Sequence, residues 1–397
     1  MNGTDTGFLK LVAESLKDER FTLVDVGCSG GLEPAWRAFG DRLRAIGFDA
    51  SASECRRLAA EETNPEVHYV AGFVDIPPDH PFTKRDGLVW GGHAGGFYEE
   101  TSSSWTMELR AAQLNSSSDQ EKLTHNQWQS TELADPKKPL YAPQVLDERG
   151  FTDVDFLKID VDGPDFRILN SFDGLFEKLG LIGVRLEVNM FGGAGETTNI
   201  FHNTDRFMRQ QGYALVRLDT YIYSKRALPA RFLYMSPTNT VSGRLFQGEA
   251  YYARVPASAP DSALATAMTA EKLIKLAAIF SVWNQPDGAA EILVTFRDRI
   301  APLLDVDKAL DQLAAQTQAG KEHPLSYRDY MALFATDSPE FYPPPPLPPT
   351  PATPTPAPQR PTFFQRLKAA WYSVSDWTYI EKLENDLRQR RGVKAQH

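Results

Sequence analysis

Residues 21–51 read FTLVDVGCSGGLEPAWRAFGDRLRAIGFDAS, and this stretch decides the fold. Phe21 to Val26 is a short run rich in apolar and β-branched residues, the composition of a buried parallel strand. It runs into Gly27-Cys28-Ser29-Gly30-Gly31, where missing Cβ atoms let the backbone approach a ligand closely. Glu33-Pro34 then predicts a helix start, since proline suits a first helical turn. A second apolar run, Leu43 to Phe48, ends on Asp49, 22 residues after Gly27. A carboxylate at the end of a second strand can accept hydrogen bonds from both hydroxyls of a ribose.

Two cofactor classes use such an arrangement: nicotinamide or flavin dinucleotides, and S-adenosylmethionine (SAM). The dinucleotide fingerprint needs glycines at the third position and glycine or alanine at the sixth. Counted from Gly27, those positions hold Ser29 and Leu32, so the pattern fails. An acidic residue inside the first strand, Asp25, followed by VGCSGG, resembles the first motif of class I methyltransferases.

The 397 residues carry a net charge of −10, which argues against a phosphate-backbone partner and so against nucleic acid. The two cysteines, Cys28 and Cys55, form no disulfide framework and no metal-ligand spacing, which predicts a reducing cytoplasm. Residues 1–20 have acids throughout and lack the apolar core of a signal peptide. No run approaches the ~18 apolar residues of a membrane span.

Leu9, Leu11, Val12 and Leu16 recur at helical spacing, predicting a short helix over the first strand. Ser51 caps a predicted helix over residues 52–62, and Val67 to Val74 reads as a third strand ending at Asp75. Asp75 has two readings, an acceptor for an adenine amine or a turn cap. Residues 86–105 form a long polar segment with glycines, His93 and three serines, the composition of a lid or binding loop.

Val154 to Leu169, VDFLKIDVDGPDFRIL, is the second informative stretch. Phe156 to Val161 is strand-like, and Asp160, Asp162 and Asp165 crowd its carboxyl end, where open parallel sheets bind ligands. Asp162 and Asp165, on either side of Gly163-Pro164, read as helix caps. Asp160 alternates onto one face with Lys158 and Phe156, and a Lys–Asp pair inside a two-sided sheet needs a charge partner or a function. Leu181 to Val188 is a fifth strand, followed by a helix around 203–211 and strand-like runs at 213–218, 232–235 and 251–255. The alternation predicts an α/β fold, a mostly parallel, doubly wound sheet with an antiparallel edge.

After Pro256 only helical periodicity remains, over residues 263–336. The chain therefore divides, on sequence, into a domain at 1–256, a helical extension at 257–338, a proline-rich linker at 339–361 and a C-terminal helix at 362–397. Eleven prolines among the 19 residues 343–361 make a polyproline spacer. Beyond it, Phe363, Phe364, Leu367, Trp371, Val374, Trp377, Ile380, Leu383 and Leu387 recur at steps of three and four, an apolar face suited to a membrane surface or a partner protein. A cytoplasmic protein is the expectation, with three readings of residues 362–391: folding back onto residues 263–336, pairing with a second subunit, or docking on a membrane surface or partner protein.

Taken together, VDVGCSGG (24–31), IGFDAS (46–51) and DFLKIDVDGPDF (155–166) resemble the FkbM-type family of SAM-dependent methyltransferases. Asp162 stands where that family usually has glutamate and Pro164 where a small residue is common; Ser102-Ser103-Ser104 is similar to its serine pair. The resemblance covers about residues 20–255 and implies a Rossmann-like class I fold, SAM as cofactor, and methyl transfer to a hydroxyl of a sugar, glycan or secondary metabolite. The cofactor set is Asp25, Gly27, Cys28, Ser29, Gly30, Asp49, Ala50, Gly72, Phe73, Asp75 and Asp160. Asp160 is the leading general base, with His93 and then His202 behind it, and Lys158 joins the catalytic set; no metal set is read. The competing reading is a non-catalytic SAM-binding scaffold that works through its linker and terminal helix.

Overall fold

The computed structural model describes residues 7–336 and 341, apart from 78, 83–131, 136, 162, 226–227, 229, 232 and 234–238. His93, the serines at 102–104, Asp162, most of the run 232–235, the proline-rich spacer and the helix expected at 362–391 therefore lie outside the described residues.

Seven strands form one sheet in the order β3-β2-β1-β4-β5-β7-β6. They are β1 (Phe21–Val26), β2 (Leu43–Asp49), β3 (Val67–Ala71), β4 (Phe156–Ile159), β5 (Gly183–Asn189), β6 (Ala214–Tyr223) and β7 (Arg244–Ala253). The first five pair in parallel, and β7 pairs antiparallel with both β5 and β6. The antiparallel edge expected from sequence is thus the β6–β7 hairpin, with β7 inserted between β5 and β6. The chain crosses between β1 and β4, so the reversal of strand order falls above those two strands, where an open α/β sheet binds its ligand. This is the Rossmann-like class I arrangement.

Alternation sends Val24, Val26, Ile46, Phe48, Leu157, Ile159 and Leu186 to one face. There they pack against α3 (Ala142–Glu148), α4 (Asp165–Asn170) and α5 (Phe201–Gln210). The opposite face carries Leu23, Ala45, Phe156 and Tyr251 against α1 (Gly7–Ser15) and the segment Pro34–Arg42. That segment is a 3-10 helix, not the α-helix expected after Glu33-Pro34; Gly40 sits inside it at φ +52°, and Trp36 and Phe39 stack on Phe21. The helix expected after Ser51 is α2 (Ala52–Glu61), with the Ser51 hydroxyl accepting from the Glu54 N–H at 3.1 Å.

Residues past 256 complete this second face. They form α6 (Ala263–Ala267), α7 (Ala270–Val282), α8 (Pro286–Thr295), α9 (Arg297–Ile300), α10 (Val306–Thr317) and α11 (Tyr327–Thr336). Leu273, Ile274, Ala277 and Ile279 of α7 share one core with α1 and the strands. Trp283 meets Phe156 edge-on at 5.8 Å and Tyr251 at 5.3 Å. A Cβ on Gly183 would stand 3.0 Å from Ile279, so α7 approaches β5 as closely as a glycine allows. The boundary drawn at residue 256 from sequence therefore does not separate two cores. Polar anchors reinforce the contact: Lys272 and Lys275 of α7 reach Asp155 at 2.6 and 3.3 Å, and Asp155 also accepts from the Thr22 N–H at 2.8 Å. No helix among the described residues is long and apolar enough to cross a membrane.

Candidate active site

The glycine turn is built by β1 and closed by β2 and β4. Gly27 and Cys28 both donate to the Phe48 carbonyl, at 2.8 and 3.0 Å, and Gly31 donates to the Cys28 carbonyl at 2.9 Å. Gly27 has φ +91°, and a Cβ there would lie 1.8 Å from the Asp160 carbonyl oxygen. Close approach of the turn to the end of β4 thus requires glycine. Cys28 points inward, 1 % exposed, beneath Gly47, where a Cβ would stand 2.7 Å from its sulfur. A hydrogen bond to Cys55, together with burial, pushes the Cys28 thiol up, so only its backbone belongs to the ligand side.

The next two N–H groups of the turn meet carboxylates of the chain itself. The Ser29 N–H faces Asp49 and works against the upward pull of burial on its carboxyl, and Gly30 donates to Glu54 at 3.0 Å. Asp49 also accepts from the Ser51 N–H at 2.7 Å, and burial holds its carboxyl above the ordinary range. Glu54 was missed from sequence; its place three residues after the capping serine was the available signal. Ala50 sits on the connection from β2 to α2, where its carbonyl accepts from the Ala134 N–H at 2.8 Å.

Lys158 ties the two halves together. Its Nζ donates to Asp25 and to the Gly27 carbonyl, both at 3.0 Å, and lies 3.5 Å from Asp160. The charge partner that the Lys158–Asp160 pair demanded is therefore Asp25, 3 % exposed. Burial pulls the Lys158 amine down, but the two carboxylates outweigh it and hold the amine above its usual value. Asp160 is the exposed member of the trio, its side chain 34 % accessible at the sheet's carboxyl edge.

Burial pushes the Asp25 carboxyl from 3.8 up to about 6, against the pull of Lys158. A raised folded value means that folding takes up a proton between those limits. The stabilisation from Asp25 is complete below 3.8 and lost as the pH rises through about 6. We expect Asp25→Asn to lose less stability than the wild type between about pH 4 and about pH 6, read as urea midpoints. Parallel midpoint curves would remove Asp25 as the titrating group.

Asp75 requires a correction. It is 2 % exposed, paired through both oxygens with Arg167 of α4, and accepts from the Ile76 N–H at 2.8 Å. It caps the turn after β3 and fastens it to α4, the second of its two readings. Gly72 donates to the Asp49 carbonyl at 2.8 Å, and a Cβ there would lie 2.3 Å from Leu140, so this glycine makes room for packing. The Phe73 carbonyl accepts from the Leu140 N–H at 2.7 Å. His202 is exposed on the first turn of α5, away from the trio. Asp165 folds back as a loop clamp, accepting from the Val161 and Gly163 N–H groups at 2.9 and 3.0 Å; burial pushes its carboxyl up to about 7.

Beyond Asp160 the same face continues over β5, β7 and β6 in transverse ranks. Arg185, Tyr251 and Arg217 form one rank, and Glu187, Glu249 and Asp219 the next toward the carboxyl edge. Asn189, Gln247 and Tyr221 form the outermost. Each cation pairs with an acid of the next rank, Arg185 with Glu249 across strands at 2.6 Å and Arg217 with Asp219 along β6 at 2.7 Å. Two cavities of about 140 and 310 Å3 lie elsewhere, beside Phe166 and Phe207 and beside Leu146 and Phe151. Among the described residues no cluster could hold a metal ion.

Comparison with known proteins bears on this geometry. The chain is similar in structure to a precorrin-6y C5,15-methyltransferase from Geobacter metallireducens, at 10 % identity and TM-score 0.27, covering 64 % of this chain and 90 % of that one. It is similar to a SAM-dependent methyltransferase from Aquifex aeolicus at 10 % identity and TM-score 0.24, covering 63 % and 93 %. A third, a SAM-dependent methyltransferase from Anabaena variabilis, has 11 % identity and TM-score 0.26, covering 59 % and 77 %. Likenesses this remote carry no weight beside the strand order. A search of curated proteins finds no match. Residues 85–215, which include β4, its DFLKID motif and β5, match the family model for the methyltransferase FkbM domain.

Proposed function

We propose that the protein is a SAM-dependent O-methyltransferase whose acceptor is a hydroxyl of a sugar, glycan or secondary metabolite. The observation that carries this reading is the use of the glycine turn's own N–H groups. Those of Ser29 and Gly30 face the carboxylates of Asp49 and Glu54, and the following segment is a 3-10 helix. A pyrophosphate needs free N–H groups at an α-helix N-terminus and would be repelled by those two acids. A ribose and a cationic sulfonium suit them. The turn, half-buried Asp49 and the close approach of Gly27 to Asp160 therefore fit SAM and not a dinucleotide.

When bound, SAM supplies an electrophilic methyl group that an oxygen displaces in line. The chain contributes position and a proton acceptor. Lys158 holds Asp25, the Gly27 carbonyl and Asp160 in one array, which fixes the turn relative to the end of β4. Holding the reactants ~3 Å apart removes the entropy of encounter. Asp160 accepts the proton of the acceptor hydroxyl as the oxygen–carbon bond forms, then releases it to water.

Asp49→Ala should weaken SAM binding by about 1.5–3 kcal/mol, the range for hydrogen bonds to a charged group, with the fold intact. Unchanged affinity by calorimetry would remove Asp49 from the site. Asp160→Asn should lower turnover ~100-fold or more with SAM affinity nearly kept; joint loss of binding and activity would make Asp160 a cofactor or structural residue. Label transfer from SAM to a glycan extract tests the activity itself. SAM binding without transfer to any acceptor would favour a scaffold, with docking through residues 362–391 as its working part. The spacer and the aromatic, basic pattern of those residues support such docking to a membrane surface or partner in either case.

A further inference from the structure

Asn189 ends β5 on the face that carries Lys158 and Asp160. Its Nδ2 donates to the Asn199 carbonyl at 3.4 Å, while its Oδ1 is buried with no hydrogen-bond partner. Asn199 is itself fastened to the turn after β4, accepting from the Phe166 N–H at 3.1 Å and donating to the Gly163 carbonyl. The amide of Asn189 is thus held at its nitrogen and turned by a contact that belongs to the Asp160 loop. Buried polar atoms in native proteins normally have partners, so an oriented amide oxygen of this kind calls for a donor from outside the chain.

Ile159 pairs with Leu186, which sets Glu187 beside Asp160, and Glu187 accepts from Gln247 Nε2 at 2.9 Å. Tyr221 flanks Gln247 on the far side, and burial pushes its phenol up to about 12, so it remains protonated. Past this rank, Phe246 packs on Phe191 and Tyr223 with ring centroids 4.6 and 4.7 Å apart. Asn189 Oδ1 and the Glu187 carboxylate are acceptors on this face, and the buried Phe246 and Tyr223 rings close its outer end.

We propose that this face is the acceptor subsite, that it takes a polyhydroxylated ring, and that Asn189 and Glu187 fix the ring so that one hydroxyl meets Asp160. The proposal rests on the methyl-transfer reading above. A ring of that kind offers several O–H donors to these acceptors. A polyamine fits less well, because Glu249 and Asp219 are already matched by Arg185 and Arg217. Asn189 and Glu187 are then positioning residues, and neither is asked to move a proton.

The test uses the full chain loaded with S-adenosylhomocysteine, with saturation-transfer NMR on methyl glycosides of glucose, mannose, rhamnose and fucose, and spermidine as the amine probe. The expected result is contact with one or more glycosides, weakened about tenfold or more in Asn189→Ala and in Glu187→Gln. Asn189→Asp, which keeps an oxygen acceptor, retains it. Calorimetric affinity for S-adenosylhomocysteine and the thermal midpoint stay at wild-type values in all three variants, which separates positioning from a structural defect. Glycoside contact unchanged in both weakening variants, contact with spermidine alone, or no contact with any probe overturns the acceptor subsite. Failure of the wild type to bind S-adenosylhomocysteine overturns the methyl-transfer reading itself, a result the calorimetry reports separately.

Discussion

Asp155→Ala is expected to destabilise the protein by about 3–5 kcal/mol, the cost of removing one partner from a buried ion pair. Asp155 is fully buried, and its oxygens meet Lys272, Lys275 and the Thr22 N–H. Lys275 is 1 % exposed, and its remaining partner is Glu19 at 3.1 Å. Without Asp155 a buried ammonium keeps one acid, Glu19, whose side chain is 54 % exposed, and the first residues of β1 lose an acceptor. Urea denaturation measures the loss as a lower midpoint. Pairing Asp155→Leu with Lys275→Met should recover a large part of it, since an apolar pair avoids the uncompensated charge. A single variant as stable as the wild type would show that the cluster is incidental to the fold.

Gly27→Ala is expected to abolish most cofactor binding, a loss of about 100-fold or more, and to lower the thermal midpoint. Two costs combine. Positive φ disfavours any L-residue by about 1–2 kcal/mol, and the new methyl would meet the Asp160 carbonyl at 1.8 Å, a backbone atom that cannot swing aside. Relief requires β1 and β4 to separate, which breaks the Lys158 contacts to Asp25 and Gly27. Gly30→Ala supplies the control: φ is +82° there, but nothing stands within 4 Å of the new atom. It should carry only the backbone strain. Equal calorimetric affinities for the two variants would mean that strain, and not the approach to Asp160, governs the turn.

What the sequence made legible follows from range. The two strand–turn units, Asp25 to Asp49 and Phe156 to Asp160, have their signals within a few residues, and period-two alternation put Lys158 and Asp160 on one face, as found. Asp75 was misassigned because its partner, Arg167, lies 92 residues away with nothing in its surroundings to announce the pair. The same holds for Asp155, which was read as part of a motif and turned out to anchor α7 across 117 residues. The 3-10 segment at 34–42 escaped because Trp36 and Phe39, three apart, satisfy either helical period, and only Gly40 marks the difference. The boundary at 256 shows a related limit: a change from mixed to helical periodicity is visible in a sequence, whereas the surface those helices cover is not.

That cover has a consequence for how the chain is made. When residue 256 has left the ribosome every strand has been synthesised, yet Phe156, Tyr251 and Gly183 still lack Trp283 and Ile279, and Asp155 still lacks both lysines. The sheet then presents an apolar surface around a buried-to-be carboxylate, the kind of intermediate that associates with its own copies. Completion waits until α7 has emerged, some distance after the last strand. A nascent chain stalled between the two points should be held by chaperones, and one stalled past α8 should be released.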